Sequence, residues 1–170
     1  VQGQVRTLKS ALDEHYKTEF GEDHLLIPWL IAYAPSLINK FTIGADGKTS
    51  HERARGRKFS KPLPEFGECA LHAKTLPKKN YDKLKVQWEH GVFLGVNDNS
   101  QELIIGTPDG AIKATEFRQK GSEEERWNME EVEKLKGLPW QPDPNTIGME
   151  VQSRIVLPMD APVMEKAEVN

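Results

Sequence analysis

The residues best suited to chemistry in this sequence are cations, and the densest run of them follows a short helical pattern. The run consists of Arg53, Arg55, Arg57, Lys58 and Lys61. A guanidinium group presents a planar fork of N–H donors that matches two phosphate oxygens, so the run suits binding to DNA along its backbone. Such contacts give affinity but little sequence preference. A solvated surface, or contact with RNA, would explain the same residues.

A second cluster combines lysines with aromatic rings. The phosphate-binding candidates in it are Lys78, Lys79 and Lys83, with Tyr81 and Trp88 nearby. Lysines interleaved with aromatic rings can bind single strands through charge and base stacking. Trp88, however, alternates in phase with Leu84 and Val86, which predicts that it is a core residue.

No set of residues converges on a catalytic or metal site. The five histidines have no partner at ligand spacing, so no zinc site is predicted. The hydroxyl residues lack a plausible triad, and nothing resembles a Gly-rich phosphate loop. Cys69 is the only cysteine, which excludes a disulfide within the chain and favours an intracellular protein.

Charge is distributed unevenly along the 170 residues, whose formal net charge is -3. Residues 40–85 contain 12 Lys and Arg against 5 Asp and Glu, whereas residues 121–170 contain 5 against 11. A basic middle suits a polyanionic partner, although an ordinary solvated surface has the same composition. No apolar run reaches the roughly 20 residues that span a bilayer, so no membrane partner is expected. The polar start without Met leads us to expect a fragment of a longer chain.

Apolar periodicity predicts helices in the first third of the chain. Val1, Val5, Leu8, Leu12 and Tyr16 recur at spacings of three or four, which indicates one helix. A second, mostly apolar helix is expected from about Asp23 to Phe41, kinked or divided at Pro35. The Thr49 to Glu52 capping box opens a short third helix that Gly56 ends.

From Phe66 the period changes to that of strands. Alternation over 69–73 and 84–88, the apolar run 92–94, and a hairpin over 103–117 predict four or five short strands, which suggests a small barrel. Ser122 to Glu125 is another capping box, opening an acidic helix that Gly137 closes. Beyond Trp140 we expect a loop at 142–148 and a tail whose last ten or so residues are disordered.

Three stretches, in order, resemble the integrase region of copia-type retrotransposon polyproteins. Leu37 to Lys40 (Leu-Ile-Asn-Lys) and 47–52 (Gly-Lys-Thr-Ser-His-Glu) are similar to the family's Leu-Ile-Asn-Arg and Lys-Thr-Pro-Tyr-Glu. Phe66-Gly67 is similar to Phe-Gly-Cys, with Glu68 in place of the cysteine. Finally, 83–85 (Lys-Leu-Lys) and 91–95 (Gly-Val-Phe-Leu-Gly) are similar to Lys-Leu-Asp and Gly-Ile/Val-Phe-Leu-Gly. The resemblance covers about residues 1–120.

This resemblance implies an α+β fold in three parts. Residues 1–60 would be the helical end of an RNase H-like catalytic core, 66–120 an SH3-like β-barrel, and 121–170 an acidic helix and partly disordered tail. The family's three carboxylates hold two Mg²⁺ ions for strand transfer. By the register of the resemblance, all three precede Val1, so Asp13 and Glu14 are not the catalytic acid. No cofactor is expected in this part, and we do not expect it to be active alone.

The resemblance also implies a role for Arg6 and Lys9, because basic residues beyond the family's catalytic glutamate face the DNA ends. The sequence is therefore interpreted as a non-catalytic segment that binds and positions DNA in an integrase, an enzyme that inserts element DNA into host DNA in the nucleus. Other integrase protomers are further candidate partners. The alternative is an SH3-like protein–protein or multimerisation module without DNA affinity.

Overall fold

The computed structural model describes residues 1–73 and 88–145, and it has a mixed α+β fold. Three helices come first: α1 (Gln2–Tyr16), α2 (Leu26–Phe41) and α3 (Ser50–Arg55). Five strands follow: β1 (Cys69–Ala73), β2 (Trp88–Val96), β3 (Leu103–Thr107), β4 (Gly110–Ala114) and β5 (Phe117–Gln119). Two short helices, α4 (Glu123–Arg126) and α5 (Met129–Glu133), come last.

The first helix forms where the apolar stripe predicts it. Leu12 is fully buried, and Val5, Leu8 and Tyr16 pack beside it against the core. Lys17 adopts a left-handed conformation and ends the helix. Gly67 lies so close that a Cβ there would stand 2.4 Å from a Leu12 methyl carbon, and its φ of 80° also favours glycine.

The second helix begins later than predicted and is not divided at its internal proline. It begins at Leu26, after a turn in which the N–H of Leu26 donates to His24 Nδ1 (3.1 Å), so Asp23 is not the cap. It also continues through Pro35 as one helix. Its inward face, which includes Trp29, Leu30 and Tyr33, is buried. This burial offsets the backbone hydrogen bond that a proline loses.

The third helix confirms both of its predicted ends. Thr49 Oγ1 accepts the N–H of Glu52 at 3.1 Å, and Gly56 closes the helix with a φ of 75°. This satisfies an otherwise unpaired N–H at the start and supplies the left-handed residue that favours glycine at the end.

The strands form one antiparallel sheet in the order β4-β3-β2-β1-β5. The first four are a meander, and β5 returns to pair with β1. The predicted hairpin is confirmed between β3 and β4, where Thr107 pairs with Gly110 across a two-residue turn. The strand register shifts between Phe93 and Gly95, which bends β2.

The core lies between this sheet and the first two helices. Phe93 and Tyr33 meet edge to face with ring centroids 5.5 Å apart. Gly95 lies against Tyr33 at a φ of 151°, where a side chain would be strained. Residues 91–96 of β2 are all buried, so this central strand is covered on both faces: Phe93 and Gly95 face Tyr33, whereas Leu94 lies near Leu135, just after α5.

The prediction of one helix over 122–137 was wrong, because the acidic segment forms two short helices, α4 and α5. Ser122 caps α4 by accepting the N–H of Glu125, but Asn128 then accepts the N–H of Glu130 and starts a second helix. The segment therefore turns at 127–128. The predicted strand at 84–86 and most of the predicted loop and tail after Asn145 lie outside the described residues.

Candidate nucleic-acid interface

The predicted cationic run lies at the surface, along α3 and the extended chain after it. This segment packs beside the turn at 97–101 that joins β2 to β3. Arg53, Arg55, Arg57 and Lys58 are exposed, and Lys61 is half-buried. The run is therefore not part of the apolar interior, but its members differ in how they are held.

Arg53 is already paired with a carboxylate. Its Nε donates to Asp46 Oδ2 at 2.8 Å, and its Nη2 donates to Asp46 Oδ1 (2.5 Å) and to the carbonyl of Lys48 (3.1 Å). The hydrogen bonds from Arg53 and then from the Lys48 N–H lower the pKa of Asp46 to about 2. The charge of Arg53 is thus balanced locally, which makes it a poor phosphate ligand in this arrangement.

Arg55 and Lys61 are fixed by backbone oxygens instead. Arg55 Nη2 donates to the carbonyls of Asp98 (2.7 Å) and Asn99 (3.3 Å), and Lys61 Nζ donates to the carbonyl of Gln101 (3.2 Å). A carbonyl accepts a hydrogen bond without neutralising the cation. These two residues therefore hold the β2–β3 turn and keep their positive charge.

Arg57 and Lys58 are the freest cations of the run. Both are exposed, and neither makes a hydrogen bond or an ion pair with the residues at 1–73 and 88–145. Because no carboxylate has to be displaced, a phosphate group can approach them at little cost.

The two candidates on α1 behave differently from one another. Arg6 is exposed, whereas Lys9 is half-buried and pairs with Asp13 Oδ2 at 2.7 Å. Asp13 also accepts the N–H of Phe20 at 3.0 Å. Burial raises the pKa of Asp13, but the hydrogen bonds from Lys9 and Phe20 outweigh burial and lower it. Lys9 and Asp13 therefore close the end of α1, and Arg6 remains the candidate contact.

Only Trp88 of the lysine–aromatic cluster lies among the described residues. Lys78, Lys79 and Lys83 lie outside the described residues. Trp88 is half-buried, so the prediction of a core residue was wrong. Its ring is covered by the guanidinium of Arg118, whose carbon lies 4.3 Å from the ring centroid. A cation–π contact of this kind stabilises a partly exposed aromatic ring.

Sequence reasoning missed a buried cation next to the run. The Lys40 side chain is 2% exposed, and its Nζ donates to Ser36 Oγ (2.5 Å) and Asp98 Oδ1 (2.8 Å). It also lies over the Phe59 ring, 5.4 Å from the centroid. The available signal was its place four residues after Ser36 in a mostly apolar helix, which puts both polar groups on one face.

Other site classes receive no support from the described residues. In that part of the chain, no three His, Cys, Asp or Glu side chains are grouped so that they could hold a metal ion. None of the described helices combines the length and the apolar character needed to cross a bilayer. Comparison with protein-family models, curated proteins and solved structures finds no match.

Proposed function

We propose that this chain is a non-catalytic segment of a retrotransposon integrase that binds and positions DNA. The observation that carries the proposal is the pair Arg57 and Lys58, exposed and unpaired, next to an Arg55 whose charge is not neutralised. Three cations in succession on one surface segment suit a phosphate backbone. The resemblance of residues 1–120 to copia-type integrases supplies the biological setting, which is insertion of element DNA in the nucleus.

The finer fold assignment belongs to the same proposal. We take α1 to α3 as the end of an RNase H-like core and the sheet as an SH3-like barrel. The strand order supports the second assignment, because a four-strand meander whose fifth strand returns to β1 is compatible with a small barrel. In the full enzyme, the resemblance puts the Mg²⁺-binding carboxylates upstream of this chain.

Binding of this kind has a defined dependence on salt. Each phosphate that a cation neutralises releases counterions, so the logarithm of the association constant falls linearly with the logarithm of salt concentration. The slope is about -0.9 for each neutralised phosphate on duplex DNA. Arg57 and Lys58 should therefore contribute nearly two to the magnitude of the slope.

The test is a filter-binding titration of the chain on duplex DNA at several salt concentrations. The double variant Arg57→Ala with Lys58→Ala should reduce the magnitude of the slope by about two and lower affinity similarly on unrelated sequences. The matched control is Lys113→Ala with Lys134→Ala, which removes two exposed lysines elsewhere and should change the slope less. Absence of DNA affinity, or affinity that ignores salt, would reject the function.

A protein–protein module is the second candidate, and one observation favours it. Phe41, the last residue of α2, and Ile43, two residues later, are 53% and 67% exposed, although both are large and apolar. Exposed apolar groups of this size are typical of contact surfaces. Sedimentation that depends on protein concentration would show self-association. Self-association that is abolished by Phe41→Ser with Ile43→Ser, in a chain without DNA affinity, would support this candidate instead.

A further inference from the structure

A polar cavity of about 290 Å³ opens between the end of α2, α3 and the β2–β3 turn. Its polar lining includes Lys40, Ser50, His51, Arg55, Asp98 and Gln101. It lies next to the cationic run, but two of its members, the buried Lys40 and the half-buried His51, were not among the residues that the sequence singled out. The cavity is large enough for a tetrahedral oxyanion, so its charge decides what it could hold.

The charges around the cavity are mostly positive. Lys40, Arg55 and Arg57 act on the His51 ring as cations, and Asp98 acts on it as an anion. Three positive groups against one negative group leave a positive excess even when His51 is neutral. Asp98 Oδ1 accepts from Lys40 and from Ser36, so this oxygen is already occupied.

The cavity also has donors to spare. The side chains of Asn39, Ser50 and His51 make no hydrogen bonds with the described residues, and Arg55 uses only its Nη2 there. Lys40 makes two hydrogen bonds, and an ammonium group has three protons. One unused group is an acceptor and not a donor. Gln101 Oε1 is buried and has no hydrogen-bond partner among the described residues, so a water that accompanies the ligand would have to donate to it.

We propose that this cavity binds one phosphate group, with His51, Arg55 and Lys40 as its charged contacts. The phosphate is that of a DNA backbone or a free phosphate compound, since both present the same oxygens. The DNA source rests on the proposed function, whereas the site itself does not. A negatively charged oxygen accepts hydrogen bonds from a cation more strongly than a neutral oxygen does.

His51 makes the site sensitive to pH. Burial, and then the cations Lys40, Arg55 and Arg57, lower the pKa of His51 below 6.5 in the free protein. A bound anion stabilises the imidazolium, so the pKa of His51 in the complex is higher than in the free protein. His51 therefore takes up protons on binding, and its contribution to affinity grows as pH falls from the bound towards the free pKa.

The test measures the pKa of His51 by NMR in the full chain with labelled histidines. Three samples at equal ionic strength contain sodium chloride, inorganic phosphate or a DNA duplex. We expect the pKa of His51 to rise with phosphate or DNA relative to chloride. His24 is the internal control, because burial lowers its pKa as well but it lies outside the cavity, so its pKa should stay unchanged.

The outcomes of the three samples distinguish failure of the phosphate site from failure of the proposed function. A rise with DNA and with phosphate supports both. A rise with phosphate in a chain that does not bind DNA supports the site and rejects the function. DNA binding without any change at His51 in either sample rejects the site and leaves the function standing. No DNA binding and no change at His51 reject both.

A charge-removing variant completes the test. His51→Gln keeps a polar side chain of similar size and loses the titrating charge. At pH 6 it should weaken phosphate binding about tenfold, and at pH 8, where His51 is neutral, it should have little effect. The matched control, His90→Gln, removes an exposed histidine beside Glu131, away from the cavity, and should leave phosphate binding unchanged at both pH values. Equal loss at the two pH values in His51→Gln would show a merely structural residue and overturn the assignment.

Discussion

Two of the ion pairs among the described residues, Glu68–Arg126 and Lys40–Asp98, bury opposite charges in different surroundings. Glu68 is 1% exposed and pairs with the more accessible Arg126, whereas Lys40 is 2% exposed and pairs with the more accessible Asp98. Glu68 is enclosed: Oε1 accepts from Arg126 (3.0 Å) and Gln119 (3.0 Å), and Oε2 accepts the N–H of Glu65 (2.9 Å). Lys40 lines an open polar cavity.

The two buried charges differ in whether their hydrogen-bonding capacity is used within the protein or remains available to a ligand. Both oxygens of Glu68 are committed, so its contacts connect the start of β1 to β5 and α4 and leave nothing for a ligand. Lys40 keeps an unused proton, and its partner Asp98 is 51% exposed and can be solvated without it. We therefore expect removal of Glu68 to affect folding and removal of Lys40 to affect binding.

The largest effect should come from Glu68→Ala. This change leaves Arg126 and Gln119 without their shared acceptor, and loss of one partner of a buried pair costs about 3–5 kcal/mol. Because Arg126 is 22% exposed and can be partly hydrated, we expect the lower end of that range. Urea unfolding followed by circular dichroism measures the loss.

Two further variants show whether the contacts of Glu68 are responsible. Glu68→Gln keeps the side-chain size and one acceptor oxygen, so it should cost less than Glu68→Ala. Glu123→Ala removes an exposed acidic residue of α4 and should leave the free energy of unfolding nearly unchanged. If Glu68→Ala were as stable as Glu123→Ala, the enclosed pair would have no structural role.

Lys40→Met should be tolerated much better. The substitution keeps a long side chain in the same space, removes a buried charge and leaves Asp98 to the solvent, so the free energy of unfolding should change by about 1 kcal/mol or less. Removing this cation should also raise the pKa of His51 part of the way to 6.5, because burial is the larger cause of its lowering. Histidine NMR of the variant measures the shift.

A loss of stability in Lys40→Met as large as that in Glu68→Ala would remove the distinction between the two pairs. Lys134→Met is the matched control, since Lys134 is exposed and directly follows α5. It should change neither the free energy of unfolding nor the pKa of His51.

The sequence predicted the elements that depend on local signals. The stripe ending at Tyr16, the Thr49 cap, the Gly56 stop and the two-residue turn after Thr107 are all where the pattern indicates. Each depends on residues only a few positions apart. The same is true of the exposed cationic run, because a charge-rich segment without an apolar period is rarely buried.

Longer-range contacts decided the features that the sequence did not reveal. Lys40 and Asp98 are 58 residues apart, and Glu68 and Arg126 are also 58 apart, so neither pair has a local signal. Trp88 alternates like a core residue, yet it is half-buried at the end of the central strand, under Arg118 from β5. Even within the cationic run, only tertiary contacts distinguish Arg55, which holds carbonyls, from Arg57, which holds none.

The smallest effect on stability should come from the exposed ion pair between Asp46 and Arg53. Asp46 and Arg53 are both about half exposed, so Asp46→Asn should lower the urea midpoint only slightly near neutral pH. It should, however, release Arg53 and remove a negative charge from the cationic run, which should raise DNA affinity a few-fold at low salt.

The acid side of the stability curve provides an independent check on Asp46. Its folded pKa, about 2, is below that of an unfolded aspartate, near about 3.9. The stability it contributes is therefore present above the unfolded pKa and is lost as pH falls from about 4 towards 2. Asp46→Asn should flatten the acid dependence in that window alone. If DNA affinity fell in this variant, Asp46 would be orienting Arg53 towards the phosphate, and the assignment of Arg53 as a neutralised cation would be wrong.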